Sequence, residues 1–204
     1  LSNQNFRQAL NYGFDRSATV NAVNPGYKAY NRLVDSNFAG PDGGKFVDEY
    51  PVETVPLSGD VDKAKEYLAA AMEELGYSDV SQLPQLELIT WDTSEQKLLL
   101  ETIIDQWKQN LGLENIQLTQ YVIGTAIGSF YDLSYDLFAI TWETDVLPTD
   151  IMEAMVTGGE VNYGIWSDAQ FDSLVEQAIN ELEPDKQAEL TAQAEQIFLD
   201  NAAI

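Results

Sequence analysis

Apolar residues recur four apart at Phe6, Leu10 and Phe14, the spacing of one helix face, and Asn3 or Asn5 stands where a cap is expected. Asp15 starts a second short helix through Val20, which Asn24-Pro25-Gly26 ends. From Tyr27 to Gly59 the periodicity fails. Gly40-Pro41-Asp42-Gly43-Gly44, Pro51 and Pro56 make this stretch irregular, and a loop so long is either a functional excursion or a surface that packs against something absent from these residues. Periodicity returns after Asp60, an N-cap: Ala64, Tyr67, Leu68, Ala71, Met72 and Leu75 share a face and Gly76 stops the helix. Glu73 and Glu74 oppose the helix dipole there, which predicts that they are exposed.

The centre of the chain alternates between two periods. Leu86 to Thr90 reads as a strand, and Ser94 to Leu111 as an amphipathic helix with Leu98, Thr102 or Ile103, Gln106 and Trp107 along it, ended by Gly112. Asn115 to Val122 is a second strand, Gly124 to Tyr131 a short helix or loop, and Leu137 to Thr141 a third strand. Strand, helix, strand in this order is a βαβ unit. The fold class is therefore α/β, a parallel or mixed sheet flanked by helices. Beyond Pro148 the pattern gives one or two helical turns over 150–155. A helix capped by Asp168 follows, with Phe171, Leu174, Val175 and Ala178 inward, and Pro184 opens a last helix carrying Leu190, Ala194, Ile197 and Phe198.

The third strand leads into the stretch with the most chemistry. Asp136-Leu-Phe-Ala-Ile-Thr141-Trp142-Glu-Thr-Asp145-Val-Leu-Pro148 is an apolar run that ends in a Trp, two acids and a Pro. Open α/β sheets bind ligands beyond the carboxyl ends of their strands, where Trp142 and Asp145 would offer an aromatic wall beside a fixed negative charge, suited to an amine. A core plug and a turn cap are the plainer uses of the same two residues. Asn162-Tyr163-Gly164-Ile165-Trp166 is a second aromatic loop, fit to line a pocket or to pack beneath the loop.

Composition removes more chemistry than it adds. With 10 Lys+Arg against 34 Asp+Glu the net charge is −24, which repels phosphate backbones and excludes a nucleic-acid partner. There is no His and no Cys, so triads built on His, thiol nucleophiles and imidazole or thiolate metal sites are impossible within these residues. Clustered carboxylates such as Asp132, Asp136, Glu143, Asp145 and Asp150 would suit a carboxylate hydrolase, but none shows a reason for a raised pKa. No cofactor and no metal is expected. Arg7 and Arg16 are conspicuous among so few cations, and Arg16 beside Asp15 predicts a local salt bridge or cap.

Four segments, in order, resemble one family. Asn5-Phe-Arg-Gln-Ala-Leu-Asn-Tyr-Gly-Phe-Asp-Arg16 is similar to an Arg-x-Ala-x-x-Tyr-Ala-x-Asp-Arg segment of the extracytoplasmic oligopeptide- and dipeptide-binding proteins of ABC importers, solute-binding protein family 5. Asp60-x-x-Lys-Ala-Lys-x-Tyr-Leu with Leu75-Gly-Tyr77, and Gln106-Trp107-Lys108-x-x-Leu111-Gly112-Leu113, resemble two further elements of the family. Asp136-Leu-Phe-x-x-x-Trp142-x-x-Asp145-x-x-Pro148, followed by Asn162-Tyr163 and Phe171-Asp172-x-Leu174, resembles its Trp-x-x-Asp segment. Two departures stand out: Ala139 occupies a position that is basic in some oligopeptide binders, and Gly13 replaces a usual Ala.

The resemblance implies one lobe of a type II periplasmic-binding-protein-like fold. Residues 1–204 would be a single domain, the distal, ligand-closing lobe of a two-lobed protein whose other lobe is absent. It implies no enzyme activity and a monomer that closes on a peptide and delivers it to membrane permease subunits. Asp145 would pair with the peptide α-amino group and Trp142 line a side-chain pocket, with Thr141, Asn162 and Tyr163 completing the site. The expected location is extracytoplasmic, lipid-anchored in the full-length protein. The chain opens on Leu-Ser-Asn-Gln without Met, and is expected to be a segment of something longer. Oligosaccharides and metal chelates are the alternative ligands of the same architecture.

Overall fold

Each strongly periodic stretch forms the element its pattern predicts. The computed structural model describes residues 2–139, 147–159 and 161–203. The chain divides into two compact units, Leu1–Asn31 with Val55–Thr141 and Arg32–Thr54 with Trp142–Ile204.

The first unit begins with α1 (Gln4–Tyr12) and α2 (Arg16–Val23). Of the two candidate caps for α1 it is Asn3 that accepts from the Phe6 N–H, while Asp15 caps α2 by accepting from Ala18. After the excursion come α4 (Val61–Leu75), capped by Asp60 and stopped by Gly76 at φ 76°, β1 (Leu86–Trp91) and α5 (Ser94–Leu111). They are followed by β2 (Ile116–Tyr121), α6 (Ile123–Asp132) and β3 (Leu137–Ala139). The sheet runs β2-β1-β3 and every described pairing is parallel, with Leu86 opposite Ile116 and Leu88 opposite Leu137. The fold class is the expected α/β.

The core of this unit joins α1, α4 and α5 through Phe6, Leu10, Leu68, Met72, Trp107 and Leu111. Polar groups fix its register. Trp107 Nε1 donates to the Leu10 carbonyl at 2.8 Å, Asn110 Nδ2 to Gly13 O at 2.8 Å, and Gln106 Oε1 accepts from Asp15 N at 2.7 Å. One helical turn of α5 thus holds the junction of the first two helices. Glu74, expected simply to be exposed, accepts from Asn3 and Asn5 at 2.8 and 2.9 Å and ties α4 to the start of α1. Arg16 makes no pair with Asp15. It donates to the Asn11 side chain and carbonyl and lies 4.3 Å over the Phe14 ring, and burial lowers its pKa to about 10. Leu98 and Leu75, placed on inner faces by the pattern, are 45% and 43% exposed, whereas Leu100 is buried.

The second unit is assembled from distant segments. The excursion contributes α3 (Phe46–Glu49), and the carboxyl half adds α7 (Pro148–Ala154), α8 (Ala169–Asn180) and α9 (Pro184–Asp200). Asp168 caps α8 through the Gln170 and Phe171 N–H groups, and Pro184 sits in the first turn of α9. Val34, Phe46, Met152, Phe171, Val175 and Phe198 form the core. At its centre is a charge: Glu195 is fully buried and pairs with Arg32 at 2.5 Å.

Candidate functional site

The parallel sheet aims three chain ends at one edge. β1 ends at Trp91, in register with Tyr121 at the end of β2, and Thr90 is in register with Ala139 at the end of β3. The three-residue β3 is pinned at both ends. Asp136 accepts from Glu87 N at 2.8 Å and its own N–H donates to Glu87 O at 3.1 Å, while Thr90 Oγ1 donates to Ala139 O at 2.9 Å. At the same edge Thr93 caps α5, and Gln120 Nε2 donates to Thr93 O at 3.0 Å. Carboxyl ends fixed in this way are where α/β folds place ligand-binding loops. Thr141, Trp142 and Asp145, the residues the sequence places just beyond β3, lie outside the described residues.

Two groups near this edge have unspent hydrogen-bonding capacity. Trp91 Nε1 and Thr119 Oγ1 are buried without a partner. Thr119 stands opposite Ile89 in the β1–β2 register, so it shares a sheet face with Trp91, two residues on. A buried hydroxyl without a partner costs stability that an isosteric methyl does not. Thr119→Val is therefore expected to leave the unfolding free energy measured in urea unchanged or raise it, by up to about 1 kcal/mol. A clear loss would show that the hydroxyl is engaged.

In the second unit the aromatic loop is held by Asn162. Its Nδ2 donates to the carbonyls of Met155, Val156 and Trp166 at 3.2, 3.0 and 2.7 Å, and Oδ1 accepts from Trp166 N at 3.0 Å. The amide hydrogens are thus committed to shaping the loop, a role that sequence reading did not separate from ligand contact. Tyr163, next in the chain, is half-buried. Trp166 packs edge-on against Phe171 and Phe198 with centroids at 4.9 and 5.3 Å, the packing use of that ring. A shallow apolar cleft of about 170 Å³ lies between the Gly40-Pro41 turn and the first turns of α7 and α9, bordered by Leu147, Pro148 and Pro184. It is smaller than the few hundred Å³ usual for a ligand site.

The chain matches the family model of bacterial extracellular solute-binding proteins, family 5 (middle region), over residues 1–163, and so belongs to that family. It is 28% identical over 207 residues to the oligopeptide-binding protein OppA of Bacillus subtilis, with all of this chain and 36% of that protein covered. It is 26% identical over 206 residues to the dipeptide-binding protein DppE of the same organism, covering 37% of it. The chain therefore spans little more than a third of the length of these relatives. Its fold superposes on Listeria monocytogenes OppA bound to peptide with a TM-score of 0.85 at 23% identity, over 99% of this chain and 38% of that one. The substrate-binding domain of an oligopeptide ABC transporter from Bacillus anthracis gives 0.85 at 24% over 98% and 38%. A peptide-binding protein of a peptide ABC transporter also gives 0.85 at 24%, with 98% of this chain and 87% of that chain covered. The fold is that of the peptide-binding proteins of this class.

Proposed function

We propose that this chain is the distal lobe of the substrate-binding component of an ABC importer, which captures a peptide between two lobes and delivers it to a membrane permease. The observation that carries the reading is the reach of the family match, residues 1–163, which takes in Trp142-x-x-Asp145, Asn162 and Tyr163 together with the sheet whose carboxyl edge precedes them. In this reading Asp145 receives the peptide α-amino group and Trp142 and Thr141 border the adjoining side chain. Tyr163 is presented by the loop that Asn162 holds. The work is binding, not catalysis. Closure is a hinge motion favoured by the ligand, and the whole protein is a monomer tethered outside the cytoplasm by a lipid anchor. The edge-on packing of Trp166 removes one ring from the set that a sugar would stack on, which favours peptide over oligosaccharide.

The test is thermal melting of the full-length protein with peptide pools carrying free or acetylated amino termini. Free-amine peptides are expected to raise Tm by several degrees through mass action. Asp145→Ala is expected to weaken their binding by about 30-fold or more, the usual loss when one partner of a desolvated charge pair is removed. Equal stabilisation by acetylated peptides would reject Asp145 as the amine anchor. If no peptide pool shifts the melt, the ligand class falls while the family stands.

A further inference from the structure

α6 carries more apolar surface than its packing uses. Its inner side is Ala126 and Phe130, at 0% and 3% exposure, with Phe130 tilted against Phe138 at 4.8 Å. The flank beside it sets Ile123, Ile127 and Tyr131 in a row at helical spacing, exposed to 58, 40 and 72%, with Val122 and Leu133 at its ends. Gly124 and Gly128 lie beside the row, and a Cβ at either would meet nothing within 4 Å. From Val122 to Tyr131 the sequence holds no charged residue, in a chain of net charge −24 in which α4, α5, α8 and α9 each carry more than one acid. A face built for solvent would not be spared in this way.

We propose that this face of α6 is covered, in the whole protein, by chain lying outside these 204 residues. Relatives of the chain are nearly three times as long, since it covers 36% and 37% of them. Two copies would each bring a charge of −24 to the contact, which opposes self-association. A covalently linked segment works at an effective concentration of about millimolar, where a small apolar patch suffices. The occupant is therefore the protein's own remainder. The inference rests on family membership, not on the ligand being a peptide.

The test is thiol labelling of the full-length protein carrying Ile127→Cys, read peptide by peptide in a mass spectrometer. These 204 residues contain no Cys, so the introduced thiol is unambiguous. Glu101→Cys, exposed on α5, is the reference site. Cys at 127 is expected to label at least about tenfold more slowly than Cys at 101, independently of protein concentration. Equal rates overturn the proposal. Protection that grows with protein concentration also overturns it, and puts a second copy on the face. Ile123→Cys repeats the measurement at the next exposed position of the row.

Discussion

Glu195→Gln unfolds the second unit at a temperature where the first is still intact. Glu195 Oε2 accepts from Arg32 Nε and Nη2 at 3.2 and 2.5 Å, and Oε1 accepts from the backbone N–H groups of Leu33 and Val34 at 2.8 and 2.9 Å. Arg32 also donates to the carbonyls of Val47 and Tyr50 at 3.0 and 3.2 Å. One carboxylate, wholly out of water, therefore fastens the incoming segment of the excursion to α9. An amide in its place keeps the shape but turns two hydrogens toward groups that only donate, and it leaves Arg32 as a buried charge without its counter-ion. The expected loss is about 3–5 kcal/mol. In Tm this is on the order of 10 °C.

Apolar replacement of the whole pair, often harmless for buried ion pairs, fails here because the Leu33 and Val34 N–H groups would be orphaned. The check is hydrogen exchange resolved along the chain. In Glu195→Gln the amides of α8 and α9 are expected to lose protection while those of α4 and α5 keep it, because the two units have separate cores. Protection lost equally in both units would show that they unfold as one.

This network was invisible to a reading that sorts residues into apolar-inside and charged-outside. A signal was nevertheless present. Ala188, Thr191, Ala192, Glu195 and Phe198 recur at three- and four-residue spacing, and an acid embedded in such a stripe is buried or paired. Its partner could not be read, since Arg32 is 163 positions away in a segment with no periodicity of its own. For the same reason the excursion between Tyr27 and Gly59 read as a loop, although residues 32–54 belong to the second unit and give its core Val34 and Phe46. Local grammar was legible where a cap, a periodic face and a stop coincide, as at Asp60 and Gly76 or at Asp168 and Phe171. It misplaced Leu98 because an 18-residue helix packs only a stripe, and Leu100, Trp107 and Leu111 occupy it. At the candidate site the strand that leads to Trp142 and Asp145 was legible as an apolar run. Its anchoring by Asp136 and Thr90 was not, because both bonds cross to another strand.

Gly59→Ala is expected to cost the first unit about 3 kcal/mol or more, whereas Gly43→Ala costs about 1 kcal/mol, although both glycines have left-handed backbones. Gly59 has φ 68° and Gly43 φ 84°, so both substitutions carry the strain of an L-residue at positive φ. The difference is in the surroundings. A Cβ on Gly43 meets nothing within 4 Å, but on Gly59 it would come to 2.6 Å from the Phe14 carbonyl oxygen and 2.8 Å from that of Tyr12. These are backbone atoms at the end of α1 and cannot rotate away. They are held by the Asp60 N–H on Tyr12 O at 2.9 Å, the Arg16 N–H on Leu57 O at 2.8 Å and the clamp from α5. Relief would require the chain before α4 to withdraw from α1, and that movement loosens the most extensive helix packing in the unit, around Phe6, Leu68 and Met72. Thermal melts of the two variants beside wild type decide the matter. If Gly59→Ala lowers the melting of the first unit by no more than Gly43→Ala lowers that of the second, the close approach of the 55–60 segment to α1 is not a constraint on the fold.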